Sequence, residues 1–95
     1  MEVLIATAPT AHASRYLQQL CKHWSHKFEV SFDPARGSIA LPFGTTTLDA
    51  GADALAIRVE LNEDADPDRA KSVIADHLNR FAFREGELAF DWRVG

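Results

Sequence analysis

The sequence is poor in the residues that cross-link or anchor a chain. It has one cysteine in 95 residues, so no disulfide can form within it, and a reducing cytoplasm fits that composition. No apolar run approaches the ~20 residues of a membrane-spanning helix. The short apolar run at residues 3–8 follows Glu2 instead of a basic segment, so we expect no signal peptide and no membrane partner.

An excess of positive charge is also missing. The chain has 14 acidic and 10 basic residues, which gives a net charge of −4 with neutral histidines. Nucleic-acid phosphates require a concentrated basic surface, and the basic residues here are scattered apart from one cluster between Lys22 and Lys27. We therefore expect no nucleic-acid partner. The sequence also lacks a glycine-rich phosphate loop, a dinucleotide-binding fingerprint and paired Cys/His zinc spacing.

What the sequence does contain is regular alternation. The hydrophobic content of 46% is ordinary for a globular protein. The length of 95 residues fits a single domain over residues 1–95. Apolar residues at every second position predict strands, and a period near 3.6 predicts helices. Asp66 followed by Pro67 is typical of a helix start. The predicted strands are residues 3–7, 28–32, 39–43, 45–49, 55–61 and 88–92, and the predicted helices are residues 12–24 and 67–83.

This order, β-α-β-β-β-β-α-β, predicts an α+β fold. Short connections favour a single curved antiparallel sheet with two helices packed on one face. The other face would carry small and polar side chains such as Ala56 and Arg58. That face is either solvated or used, with the edge strands, to form a homodimer.

The first predicted helix carries two stripes of side chains. Helical spacing places Ala13, Tyr16, Leu17, Leu20 and Trp24 on a core-facing stripe. A second stripe, along one edge of the first, holds His12, Gln19, His23 and His26. Cys21 lies on the opposite edge, out of reach of His23 as a base, so we interpret it as a small buried hydrophobe and not as a nucleophile.

The histidines are the candidate metal ligands. His23 and His26 are three residues apart and can converge on one ion, with His77, on the inward face of the second helix, as the third ligand. The alternative is structural, because histidines favour helix C-termini and a histidine on an apolar face is usually hydrogen-bonded in the core. No catalytic residue or cofactor is identified by the residues alone.

A second candidate site would bind an anion. Arg84 and Arg15 can hold an anionic ligand, or they can pair with Glu85 and Asp91 in ordinary ion pairs. Aromatic side chains either line a ligand cavity between helices and sheet or simply fill the core. These aromatic residues are Tyr16, Trp24, Phe81, Phe90 and Trp92.

Three ordered segments carry a family resemblance. They are HASRYLQQLCKHWSHKF, IALPFGTTTLDAG and ADHLNRFAFREGELAFDW. Over essentially the whole chain, the sequence resembles the bacterial domain of unknown function family 2218. The resemblance implies no defined activity, and an aldolase label carried by some members does not suit a chain too short for a (β/α)₈ barrel. The family's recurring residues correspond to His23, His26, His77, Phe81, Arg84, Glu85 and Trp92.

The resemblance also implies a cellular context. Domains similar to this one occur beside siderophore-interacting, flavin-dependent ferric-reductase modules. We therefore expect a binding or accessory domain linked to iron or siderophore handling. The alternatives are a small acid/base or metal-assisted enzyme around His23 and His77, with Arg84 binding an anion, and a homodimeric interaction module.

Overall fold

The computed structural model describes residues 2–95 and has six strands and two helices in the predicted order. This confirms the α+β fold with both helices packed on an antiparallel sheet. The helices are α1 (Ala13–Trp24) and α2 (Pro67–Phe81). The strands are β1 (Val3–Pro9), β2 (Val30–Phe32), β3 (Arg36–Leu41), β4 (Gly44–Ala50), β5 (Ala54–Leu61) and β6 (Asp91–Val94).

Four consecutive strands of the sheet form a meander, and the first and last strands of the chain are added at one side of it. Strands β2 to β5 follow one another as neighbours, but β1 lies between β5 and β6, so the order is β2-β3-β4-β5-β1-β6. In β1, Ala6 stands opposite both Ile57 of β5 and Trp92 of β6. The first and last strands therefore meet side by side within one sheet.

One face of the sheet forms the core. Alternate residues of the long strands, such as Ala6 and Ile57, are buried, and their neighbours are exposed. The helices bury one stripe each against this face. The largest buried helix side chains are Tyr16, Leu17, Leu20, Trp24, Ile74 and Leu78. Neither helix within residues 2–95 is long and apolar enough to cross a membrane.

The two helices begin differently. At the start of α2, the Asp66 carboxylate accepts a hydrogen bond from the Asp68 N–H at 3.0 Å, as the predicted cap requires. At α1, His12 occupies the cap position without a side-chain hydrogen bond. Instead Thr10 Oγ1 accepts the His12 N–H at 3.0 Å, so the helix starts one residue later than predicted. Thr10 therefore orders the turn before α1 and does not cap the helix.

Several strand predictions need correction. The second strand begins at Val30 and not at residue 28, and the third spans Arg36–Leu41 and not residues 39–43. The final strand starts at Asp91 and not at Leu88, because the Leu88 N–H donates to Asn79 Oδ1 at 2.8 Å and ties that segment to α2. Alternation in the predicted strand 28–32 places Phe32 on the inward face with Phe28 and Val30, but Phe32 is 36% exposed. Its strand, β2, is three residues long and forms the edge of the sheet, where less of the helical layer covers it.

The outer face of the sheet carries small and polar side chains, as predicted. All three ion pairs found in residues 2–95 lie on or beside this face: Arg36–Asp49, Arg58–Glu60 and Arg93–Asp91. Each pair is largely exposed, so each adds little to the stability of the fold. Pairing of two chains through this face stays a prediction.

Candidate functional site

The predicted site residues lie along the groove between α1 and α2. The two helices run antiparallel there, since Tyr16 early in α1 bonds to Glu85 beyond the end of α2, and His23 late in α1 meets His77. The groove opens into a cleft at each end. The histidine cleft lies where α1 ends, and the arginine cleft lies where α1 begins.

The histidine cleft has a volume of about 340 Å³ and is built from three parts of the chain. The end of α1 with the segment that follows it, the end of β3 with the β3–β4 turn, and residues 69–77 of α2 each contribute one wall. Its lining residues are His23, Trp24, Lys27, Phe28, Leu41, Pro42, Phe43, Arg69, Val73 and His77. The lining thus combines apolar side chains with basic ones.

His77 has a defined orientation in this cleft. Its Nδ1 lies 2.7 Å from the Val73 carbonyl oxygen, one turn earlier in α2. A carbonyl oxygen only accepts, so Nδ1 carries the hydrogen and Nε2 keeps a lone pair when the ring is neutral. The ring centre lies 4.8 Å from that of Trp24 and 5.5 Å from that of His23. His77 is half-buried, so it is accessible from the cleft and not enclosed in the core.

The side chains that line this cleft include four basic ones and no acidic one. They are His23, Lys27, Arg69 and His77. Lys27 and Arg69 form no ion pair with any acid in residues 2–95. The acids Asp64 and Asp66 line an adjoining depression, which shares Pro42, Phe43 and Arg69 with this cleft. In a chain of net charge −4, this is a local concentration of unpaired basic groups.

The predicted three-histidine metal site is only partly assembled. His23 and His77 are adjacent, but His26 is exposed beyond the end of α1 and does not line the cleft. Throughout residues 2–95, no three His, Cys, Asp or Glu side chains are placed to hold one metal ion. Metal binding by His23, His26 and His77 stays a prediction.

The arginine cleft brings the other two predicted residues together. Arg15 and Arg84 both line it, and its volume is about 170 Å³. His12, Tyr16, Phe81 and Glu85 complete its walls. The ion pairs considered for the two arginines, with Glu85 and Asp91, do not form within residues 2–95. Asp91 pairs with Arg93 at 2.9 Å, and Glu85 accepts hydrogen bonds from Thr10 and Tyr16. Neither Arg15 nor Arg84 takes part in a salt bridge within the described chain.

Glu85 is held in place by two hydroxyl groups. Thr10 Oγ1 donates to its Oε2 at 2.9 Å, and the Tyr16 hydroxyl donates to the same oxygen. These bonds, that from Tyr16 most of all, lower the pKa of Glu85. Burial, helped by the same carboxylate, raises the pKa of Tyr16. Glu85 is therefore an oriented carboxylate, and Tyr16 remains a neutral donor.

Cys21 is a core residue, as predicted. Its side chain is fully buried, and burial raises the pKa of the thiol to about 11. A thiol with that pKa is not an activated nucleophile at neutral pH. The predicted aromatic residues fall into two groups. Trp24 lines the histidine cleft and Phe81 lines the arginine cleft. Phe90 and Trp92 instead stack on each other, with ring centres 6.2 Å apart.

Several residues that line the clefts are not indicated by the sequence pattern. Arg69 stands two turns before His77 on α2, so a search of the helix at four-residue steps finds it. Phe43 belongs to a turn, and no local pattern points it toward the histidine cleft. Tyr16 was assigned to the core without a partner for its hydroxyl, although a buried tyrosine usually has one. That rule predicts an acceptor for the Tyr16 hydroxyl, and the structure shows that it is Glu85.

Comparison with known proteins places the chain among antiparallel α+β domains and then in a family. Residues 5–93 match the family described as "Uncharacterized protein conserved in bacteria (DUF2218)". The chain belongs to this family, as the resemblance implied. It is also similar to the NMR structure of PA4090 from Pseudomonas aeruginosa, with 35% identity, a TM-score of 0.76, and coverage of 98% of this chain and 96% of that one. No curated protein matches the chain.

Proposed function

We propose that the protein is a binding module for a small organic anion with an apolar group, and that the histidine cleft holds this ligand. One observation carries the proposal. The cleft is lined by four basic side chains and by Trp24, Phe28 and Phe43, without a carboxylate. An acidic chain repels an anion over much of its surface, so a cleft lined by basic groups without a carboxylate is a favourable place for one.

The chemistry divides between the two kinds of lining residue. The Arg69 guanidinium offers paired N–H donors that suit a carboxylate, and the Lys27 ammonium adds a point charge. The aromatic side chains cover an apolar body, which is the common arrangement in small-molecule sites. At about 340 Å³, the cleft suits a ligand with one ring better than a large multi-ring cofactor.

Benzoate is a suitable probe for this site. Titrated into the full chain and followed by amide NMR shifts, it should bind saturably at His23, Trp24 and His77. The neutral analogue benzamide should bind about tenfold more weakly, a difference of about 1.4 kcal/mol. Equal binding of the two analogues, or no saturable shift with benzoate, would contradict the proposal.

Matched variants test which basic side chains bind the carboxylate of benzoate. Arg69→Gln and Lys27→Gln should each weaken benzoate binding by about three- to tenfold, the loss expected when one charged hydrogen bond is removed. Arg80→Gln on α2 and Lys22→Gln on α1 remove the same charges outside the cleft and should leave binding unchanged. A similar loss in all four variants would show only a general effect of net charge.

A second candidate function is acid/base or metal-assisted chemistry at His23 and His77. The observation that favours it is the free Nε2 of a half-buried His77 beside a second imidazole. The full chain titrated with Fe²⁺ or Zn²⁺ in a calorimeter should then release heat that His23→Ala and His77→Ala abolish and His12→Ala keeps. Absence of binding would remove the metal version of this candidate.

Iron handling is the biological setting that this second candidate would support. Binding of Fe²⁺ would favour the expected link to siderophore or ferric-reductase systems. A cytoplasmic setting is supported by Cys21, which is a free thiol.

A further inference from the structure

The arginine cleft carries an inference that goes beyond the histidine cleft. Two guanidinium groups, Arg15 and Arg84, line a cleft of about 170 Å³ and have no acidic partner within 4.0 Å in residues 2–95. Each guanidinium has five N–H donors, so the cleft has a large unused capacity to bind a carboxylate. No acidic residue occupies the first turn of α1, and negative charge is favoured at that helix end.

Glu85 places a negative group in the same cleft. Its Oε2 accepts the hydrogen bonds from Thr10 and Tyr16, whereas its Oε1 accepts none from the described chain. Because those two donors keep Glu85 ionised, Oε1 is a free acceptor of fixed position. The cleft thus offers free donors on the arginines and a free acceptor on Glu85.

Simple ions fit this arrangement poorly. An inorganic anion would be attracted by the arginines but repelled by Glu85, and a simple cation would meet the reverse situation. A small molecule that carries both an anionic and a cationic group satisfies both sides. We propose that the arginine cleft binds a small free α-amino acid, its carboxylate on Arg15 and Arg84 and its ammonium group on Glu85.

The size of the arginine cleft and its apolar wall limit which amino acids can bind there. The arginine cleft has half the volume of the histidine cleft, about 170 Å³ against about 340 Å³, so it favours a small amino acid such as alanine or serine. Phe81 supplies one apolar wall, against which a short side chain can pack.

L-Alanine titrated into the full chain at neutral pH tests the assignment. It should give saturable amide NMR shifts at Arg15, Arg84 and Glu85. Propionate lacks the ammonium group and ethylamine lacks the carboxylate, so each should bind at least about tenfold more weakly, because one charged side of the cleft is left unpaired. Propionate or inorganic phosphate binding as tightly as L-alanine would overturn the amino-acid assignment, and so would the absence of saturable shifts.

Variants separate this site from the histidine cleft and from folding. Arg84→Gln and Glu85→Gln should each weaken L-alanine binding by about tenfold. Arg80→Gln, on the same helix but outside the cleft, should leave it unchanged. Arg84 is exposed, so its variant should keep the wild-type NMR spectrum elsewhere. Shifts confined to His23 and His77 would place L-alanine in the other cleft and overturn the inference without touching the benzoate proposal.

Discussion

Thr46 places a hydroxyl group inside the core without a hydrogen-bond partner in residues 2–95. Its side chain is fully buried on β4, where it faces Ile39 of β3 and Val59 of β5. A buried hydroxyl without a partner loses its hydration and gains nothing in return. Threonine therefore fits this position by its β-branched shape and not by its polarity.

Replacing this hydroxyl tests that interpretation. Thr46→Val keeps the shape and removes the unpaired group, so we expect the free energy of unfolding to rise by about 1 kcal/mol. Urea denaturation measures the change. Thr45→Val, on the exposed face of the same strand, should alter stability much less. A loss of stability in Thr46→Val would mean that the hydroxyl has a partner after all.

At the scale of elements, the close packing of α1 against the sheet depends on Gly37. A Cβ atom at Gly37 of β3 would lie 2.6 Å from Cys21 Sγ and 3.3 Å from Phe32 Cβ. The missing side chain lets α1 approach the strand closely. Cys21 thus has a packing role that accounts for its position without any chemistry of the thiol.

This contact can be tested with a double-mutant cycle. Gly37→Ala should lower the free energy of unfolding by about 1–3 kcal/mol, the usual range for overpacking a core. In a Cys21→Ala background the added methyl group has room, so the same substitution should cost less. Thermal and urea unfolding of the four proteins give the coupling. Strict additivity would show that the contact with Cys21 is not the source of the effect.

At the scale of the whole molecule, Glu85 joins distant parts of the chain. Its carboxylate bonds to Thr10 and Tyr16, which lie 75 and 69 residues earlier. The turn after α2 is thereby fastened to the start of α1. The same two bonds shape the arginine cleft, so the stability of this junction and the geometry of the site are linked.

The hydrogen bonds from Thr10 and Tyr16 to Glu85 should make the free energy of unfolding depend on pH in two ranges, one acid and one alkaline. Because the pKa of Glu85 is lowered by folding, its contribution is present above the ordinary carboxyl pKa and is lost as pH falls through the lowered native value. Glu85→Gln should therefore flatten the acid decline of stability, whereas Glu87→Gln should not. Urea denaturation at a series of acid pH values measures both, and equal slopes in all three proteins would contradict the prediction.

The alkaline range tests Tyr16 separately. Folding raises the pKa of Tyr16, so its contribution is present below the ordinary tyrosine pKa and is lost as pH rises through the raised native value. Tyr16→Phe should lower stability at neutral pH and flatten the alkaline decline. Denaturation series above pH ~9 report the slope, since free tyrosine ionises near pH ~10. An unchanged alkaline slope in Tyr16→Phe would argue against this role.

The sequence by itself determined the element order and the faces of the helices. These features depend on residues no more than four positions apart, through alternation, helical periodicity and the Asp66–Pro67 start signal. Local periodicity was therefore enough to separate His12 and His23 from the core stripe of α1. It was also enough to point His77 toward the groove.

Only the tertiary structure decided which of these side chains meet. Placing β1 between β5 and β6 and packing α1 antiparallel to α2 joined His23 to His77, and Arg15 to Arg84, and left His26 outside. The partner of Glu85 was equally undetermined, because a bond across 69 residues leaves no periodic trace in the sequence. Contacts between distant segments arise from global packing, and that is why both clefts appear only in the folded chain.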